Sequence, residues 1–218
     1  MSAISRPPTM RGSSALNEST VLRGKRTILR MPLSSDYTEW SRLREESREF
    51  LRPWEPTWPY DDLTRMAFRR RVRRYHRDVR EDNGYAMFLF LNEDETLIGG
   101  LTLAHVKRGV TQSCSLGYWM GHRWAGNGYM TEAVRLVVPY VFNALKLHRI
   151  EAACLPQNAP SIRLLEKVGF QKEGYARRYL CINGRWRDHL LFALLADDPI
   201  PDPDAATAAV STGAGLRP

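Results

Sequence analysis

Cysteine is scarce in this chain: Cys114, Cys154 and Cys181 stand far apart in 218 residues, with no Cys-x-x-Cys pair. That spacing indicates neither a disulfide framework nor a metal site, and leaves free thiols, buried ones first, as the reading. Long apolar runs are also missing. The longest, Tyr85–Leu91 and Leu190–Ala196, fall far short of the ~20 residues that span a bilayer, so no membrane partner is expected. Residues 1–30 contain no apolar h-region, which predicts no signal peptide and a cytoplasmic protein. Internal repeats are absent. Acidic residues are the minority charge, 24 against 32 basic. That balance favours an anionic partner such as nucleic acid or a phosphate-rich cofactor.

What is present reads as one domain over residues 25–198, because no polar linker divides it. Residues 1–24, rich in Ser, Arg and Pro, predict a disordered arm, and the Pro-, Ala- and Asp-rich residues 199–218 a disordered tail. Thr27–Arg30 reads as a short strand. Ser34-Ser35-Asp36 offers N-cap chemistry to a helix carrying Trp40, Leu43, Phe50 and Leu51, stopped by Pro53 and Pro56. The stretch Phe50 to Pro56 sets Trp54 and Glu55 on a proline-fixed turn that either plugs a core or walls a pocket. Asp61-Asp62 then opens a helix with one apolar stripe, Phe68, Val72, Tyr75 and Val79. Its other faces carry Arg65, Arg69, Arg70, Arg71, Arg73, Arg74, Arg77 and Arg80. Such a surface is either simply solvated or a phosphate-contacting face for an RNA-rich partner.

Ala86–Leu91 and Thr96–Val106 read as a hairpin, and Ser115–Met120 continues the sheet. Next comes Arg123-Trp124-Ala125-Gly126-Asn127-Gly128-Tyr129-Met130, which flows without a breaker into a helical pattern. A strand, a glycine turn and a helix start form either a tight packing turn or an anion site. The loop lacks the Gly-Lys-Ser/Thr of a P-loop and the third glycine of the dinucleotide fingerprint. Pro139 lies inside the helix and predicts a bend. Arg149–Leu155 is the next strand, Asn158 to Ser161 starts a helix that Gly169 closes, and Tyr179–Ile182, Asn183-Gly184 and Trp186–Leu195 form a second hairpin.

Leu116-Gly117-Tyr118-Trp119-Met120, Arg123-x-x-Gly126-x-Gly128, His148-Arg149-Ile150-Glu151-Ala152, Asn158-x-x-Ser161 and Glu166-Lys167-Val168-Gly169-Phe170 together resemble motifs A and B of the GNAT N-acetyltransferases. Phe50-Leu51-x-Pro53-Trp54-Glu55-Pro56, Glu173-Gly174-Tyr175-Ala176 and Trp186-Arg187-Asp188-His189 are similar to the RimJ/RimL-like branch, the ribosomal-protein-alanine acetyltransferases. The resemblance covers about residues 26 to 197. It implies an α+β fold: a mixed, mostly antiparallel twisted sheet of about seven strands, flanked by helices, with a splayed central strand pair. It also implies acetyl-CoA as donor and no metal. Trp124, Ala125, Gly126, Asn127, Gly128, Tyr129 and Met130 would surround the pyrophosphate, with Arg123 beside them. The pantetheine arm would lie in the splay, with Asn158 holding it and a backbone N–H near Trp119 or Met120 as oxyanion donor. Ser161 would serve the leaving thiolate.

The chain departs from the family where a tyrosine acid often precedes the Glu-Lys-x-Gly-Phe run, since Leu165 stands there, and where a glutamate base would fall near Leu180. Glu55, Glu49 and Asp188 are the carboxylate candidates for a base, and His105, His148 and His189 the imidazole ones. Glu132 and Thr131 read as bracing residues. The leading expectation is direct transfer to the N-terminal α-amine of a protein, with ribosomal proteins among the acceptors and the Arg65–Arg80 helix as an RNA contact. A small-amine enzyme and a non-catalytic CoA-binding regulator stand as alternatives. Monomer and homodimer both remain open.

Overall fold

The computed structural model describes residues 20–201; residues 1–19 of the expected arm and 202–218 of the expected tail lie outside them. Within the described span an eight-stranded sheet has the order β1-β2-β3-β4-β5-β6-β8-β7. Its strands are β1 (Val21–Arg23), β2 (Thr27–Arg30), β3 (Tyr85–Leu91), β4 (Leu97–Lys107), β5 (Ser113–Met120), β6 (Arg149–Cys154), β7 (Gln171–Ile182) and β8 (Arg185–Leu195). The eighth strand is β1, which falls inside the stretch read from sequence as arm and pairs Val21, Leu22 and Arg23 with Arg30, Leu29 and Ile28. Five helices complete the fold: α1 (Tyr37–Glu46), α2 (Arg48–Leu51), α3 (Arg65–Arg80), α4 (Tyr129–Asn143) and α5 (Ala159–Val168).

The sheet is buried on both faces, which is why β3 reads as a continuous apolar run rather than an alternating one. Met87 and Leu89 join Leu29, Leu101 and Leu103 beneath α4, whose Ala133, Val137 and Val141 are fully buried. Phe88 and Phe90 join Ile28 and Leu97 on the opposite face, under Trp40 and Leu43 of α1 and Phe68 and Val72 of α3. α4 is continuous across Pro139, which is exposed.

Of the two expected helix starts, the first holds and the second shifts to Thr64. Asp36 is the N-cap of α1 and completes a capping box on the Leu33 N–H at 2.7 Å, and it also forms a bidentate pair with Arg30 at 2.8 Å. Asp61 and Asp62 do not open α3; they pair with Arg70 at 2.7 Å and Arg71 at 2.6 Å. Thr64 is the cap, accepting from the Ala67 N–H at 3.2 Å. The single helix expected through Leu51 breaks at Ser47, whose hydroxyl accepts from the His122 N–H at 3.0 Å. That bond ties α2 to the segment after β5, and Phe50 stacks on His122 with ring centroids 4.9 Å apart.

The central strand pair is splayed. β5 and β6 run parallel and pair only at Ser113/Arg149, Cys114/Ile150 and Ser115/Glu151. Beyond them β5 stays on β4, Leu116 to Leu103 and Met120 to Gly99. β6 continues on β8 as far as Cys154/Leu190. The β6-facing edge of Leu116–Met120 is therefore without a strand.

Candidate active site

The glycine loop lies at one end of a cleft of about 350 Å³. After β5 the chain makes a short 3-10 turn at His122–Trp124 and enters α4 through Gly126 at φ 81° and Gly128 at φ 78°. A Cβ added to Gly126 would meet nothing within 4 Å, so the left-handed backbone rather than crowding calls for glycine there. Gly128 is the N-cap of α4, and no side chain caps the helix. The first amides of α4, Tyr129, Met130 and Thr131, have no intrahelical acceptor, and with the helix dipole they form an anion-binding end.

Arg26, which sequence reasoning missed, is fastened to this loop. It donates to the Asn127 carbonyl at 3.2 Å and to Glu132 at 3.1 Å, and its guanidinium lies 4.6 Å from the centre of the Tyr129 ring. Glu132 braces the join, as expected of it. Its Oε1 accepts from the Arg26 N–H at 2.8 Å and from the Thr27 N–H and hydroxyl at 3.1 and 2.9 Å. Burial raises the Glu132 pKa, but these bonds outweigh burial and hold it below the usual carboxylate range. A carboxylate with a depressed folded pKa contributes stability above its unfolded pKa and loses it as pH falls through the folded one. Glu132→Gln should therefore lower stability at pH 7 by roughly 2 kcal/mol. Denaturant melts from pH 7 downward should show the gap from the native protein shrinking below the ordinary glutamate value of 4.5; a gap independent of pH would refute the assignment.

From the loop the cleft runs past Trp119 and Met120 to α5 and the Trp54 turn. A second cavity, about 170 Å³, fills the splay between Leu116–Tyr118 and Ala152–Leu155. Trp54, Tyr118, Asn158 and Ser161 line both, so the two form one groove. Asn158 caps α5, its Oδ1 accepting from the Ser161 N–H at 3.2 Å. This fixes Ser161 on the first turn, where its Oγ lies 2.7 Å from the Tyr118 hydroxyl. Burial raises the Tyr118 pKa and the Ser161 bond opposes this only in part, so the phenol stays neutral. Nothing in the strand pattern of Leu116 to Met120 separates Tyr118 from a packing residue; only its partner on α5 does.

Of the expected binding residues, Trp119, Met120, Trp124, Ala125, Gly126, Gly128, Tyr129, Met130, Asn158 and Ser161 line the cleft. Two do not. Arg123 lines a neighbouring small cavity with Glu39 and Arg42, which touches the cleft only through Trp124. Asn127 uses its side-chain amide to bridge the Trp124 and Ala125 carbonyls, at 3.3 and 3.2 Å, bracing the loop from within.

The base candidates are scattered. Glu55 lines the cleft, but its oxygens accept from both Arg44 terminal nitrogens at 2.7 and 2.6 Å and from the Trp58 indole at 2.7 Å. Arg44 in turn lies over the Trp119 ring at 4.8 Å. Glu49 lines an adjoining cavity of about 380 Å³ beyond Trp54, together with Arg52, Gln157, Asn183 and Arg187. Asp188 accepts from the Tyr175 hydroxyl at 2.5 Å and the Arg178 N–H at 2.7 Å. His189 is buried at the splay, its Nδ1 donating to the Arg187 carbonyl at 3.0 Å. His105 borders a different cavity, and His148 is exposed. Among the described residues there is no cluster of three His, Cys, Asp or Glu that could hold a metal, and no helix long and apolar enough to cross a membrane.

Comparison with known proteins agrees with this geometry. The model of the acetyltransferase (GNAT) domain matches residues 26–171. A probable N-acetyltransferase, YjcK, of Bacillus subtilis is 40% identical over 178 residues, covering 82% of this chain and 98% of YjcK. The [ribosomal protein uS5]-alanine N-acetyltransferase of Escherichia coli is 34% identical over 81% of this chain and 91% of its own length. Among solved structures, Mycobacterium smegmatis RimJ in complex with CoA-disulfide superposes with a TM-score of 0.78 at 31% identity, covering 88% of this chain and 93% of RimJ. Motif order, splayed strands, glycine loop and these matches lead to one assignment: the chain belongs to the GNAT acetyltransferase family, and its mostly antiparallel α+β sheet is the GNAT fold.

Proposed function

We propose that this acetyltransferase moves an acetyl group from acetyl-CoA to the N-terminal α-amine of a protein, ribosomal proteins among the acceptors, by direct transfer in a ternary complex. The observation that carries the reading is the single groove that leads from the glycine loop into the splay and meets a second cavity at Trp54. One end suits a pyrophosphate, through the α4 amides and Arg26. The unpaired edge of Leu116–Met120 suits an extended amide-bearing arm, and the Trp54 cavity gives an acceptor a separate approach. Acetyl-CoA supplies the activated acyl carbon.

The rest falls to this chain's residues. A backbone N–H at Trp119 or Met120 would hold the acyl oxygen. With the neutral Tyr118 hydroxyl as donor to Ser161 Oγ, the Ser161 O–H is free to donate to the departing sulfur. As the carbon–nitrogen bond forms and the carbon–sulfur bond breaks, that bond holds the thiolate's charge. No strong base is required. An α-amine with pKa ~7.7–8 is ~10–15% neutral at pH 7, against ~0.04% for a lysine at ~10.4. Glu55, committed to Arg44 and Trp58, is assigned to holding the turn, and water carries the amine proton away. Cys154 lines the splay, but burial pushes its thiol pKa up, which disfavours a covalent acyl-cysteine route.

The face of α3 open to RNA is narrower than the arginine count suggests. Arg70 and Arg71 are paired with Asp61 and Asp62, and Arg65, Arg71 and Arg74 lie over Tyr37, Trp40 and Tyr75. Incubation with acetyl-CoA and short peptides beginning with Ala, Ser or Met should release CoA and acetylate the terminal amine, read by mass spectrometry. Turnover of spermidine or an aminoglycoside alone would overturn the protein-acceptor reading. CoA binding with no turnover of any amine would make the chain a regulator.

A further inference from the structure

The β7–β8 hairpin extends past the sheet as an arm. From Arg177 to Cys181 every residue of β7 is exposed, as are Arg185, Trp186 and Arg187 on the returning strand. Ala176 pairs with His189 and Leu180 with Arg187, with a bulge between them where Arg178 adopts φ 48°. Past the bulge Trp186 registers with Cys181, and the Tyr179 ring packs edge-on against the His189 ring with centroids 5.9 Å apart. Tyr179 is 49% exposed and Trp186 65%. Interleaved with these rings are Arg177, Arg178, Arg185 and Arg187. None of the four forms an ion pair within 4.0 Å among the described residues. The one acid in that stretch, Asp188, accepts from the Tyr175 hydroxyl and the Arg178 N–H, and the nearby Arg178 and Arg177 charges also help hold its carboxyl below the usual carboxylate range, so the stretch carries four cations to one acid.

We propose that this arm binds single-stranded RNA, its guanidinium groups on phosphates and Trp186 and Tyr179 stacking on bases. Exposed rings interleaved along the chain with a local excess of cations are what a flexible polyanion with aromatic faces would recognise. A second copy of this chain fits poorly, since a two-fold contact would bring four arginines against four. An acidic peptide would satisfy the cations but leave the rings exposed. The arm adjoins the Trp54 cavity through Ile182, Asn183 and Arg187, and the Asn183 N–H donates to the Glu55 carbonyl at 2.9 Å. RNA held there would lie beside the acceptor approach. The inference does not depend on the acceptor proposed above.

The test is fluorescence anisotropy of a labelled, unstructured 16-nucleotide RNA with the full chain at 50 to 200 mM salt. The native protein should bind with strong salt dependence. Arg177→Glu, Arg178→Glu and Arg185→Glu together should weaken binding about 100-fold and lower the salt slope by about 2, near 0.7 for each phosphate no longer neutralised. Trp186→Ala, at an exposed site that leaves folding intact, should weaken it about tenfold with the slope unchanged. Thermal melting and CoA binding serve as folding controls. No RNA affinity at 50 mM salt, an unaffected triple variant, or a loss caused only by Arg69→Glu, Arg73→Glu and Arg77→Glu on α3 would overturn the proposal. So would equal competition by polyglutamate, or a dimer that Trp186→Ala dissolves.

Discussion

Gly128→Val is expected to weaken CoA binding about 100-fold, measured by calorimetry. Gly128 sits at φ 78°, at the cap of α4. A β-branched residue there is strained by about 1–3 kcal/mol and will escape by rotating the peptide, which turns the first α4 amides away from the anion. An added Cβ would lie 3.4 Å from the Arg26 guanidinium, the far end of a flexible side chain, so steric conflict is the smaller effect. Backbone conformation decides the outcome. Gly109→Val provides the control: Gly109 has φ 68° and open space around it, well away from the cleft. It should cost comparable stability and leave CoA affinity unchanged. If both variants lose affinity alike, global destabilisation is the cause and the amide cradle is refuted.

Ser161→Ala should lower kcat by about 100-fold, the low end of what a positioned proton donor contributes, with little change in CoA affinity. Tyr118→Phe keeps the ring and removes only the hydroxyl 2.7 Å from Ser161 Oγ. It should lower kcat about tenfold and leave KM nearly constant, because the ring that lines the cleft is kept. The double variant separates a positioning role from an independent one. If Tyr118 works by orienting Ser161, Tyr118→Phe adds nothing once Ser161 is alanine, and the two effects are far from additive. Additive losses would give Tyr118 a contact of its own with substrate. A Ser161→Ala enzyme within threefold of the native one would remove the serine from the chemistry.

Local features were legible in the sequence wherever one short segment determines its own conformation. Asn158 caps α5 and Gly169 ends it at φ 108°, as the residue types predict. Asn183 and Gly184 adopt φ 46° and 74°, the paired positive angles of a tight hairpin turn. The stripe Phe68, Val72 and Val79 is buried under α3. Expectations failed where a distant charge competes with a local preference. Asp61 and Asp62 looked like helix-opening residues, and each pairs instead with an arginine. Arg123, which the resemblance put beside the glycine loop, lines a neighbouring cavity with Glu39, Arg42 and Trp124.

By itself, then, the sequence determined the glycine turn at the start of a helix, the cap and end of α5 and the last hairpin turn, since these follow from residue types at short spacing, and its motifs carried the family resemblance. The tertiary structure decided which side chains meet. Arg26 reaches the loop through Glu132, 106 residues away, and Tyr118 meets Ser161 across 43. Whether Glu55 on its turn faces an acceptor or a partner depended on Arg44, set on α1. Contacts between segments depend on packing, and residue type at one position does not specify what lies opposite. The glycine loop was readable because its chemistry is that of its own backbone; the Tyr118–Ser161 pair was not, because it forms only when β5 and α5 are brought together.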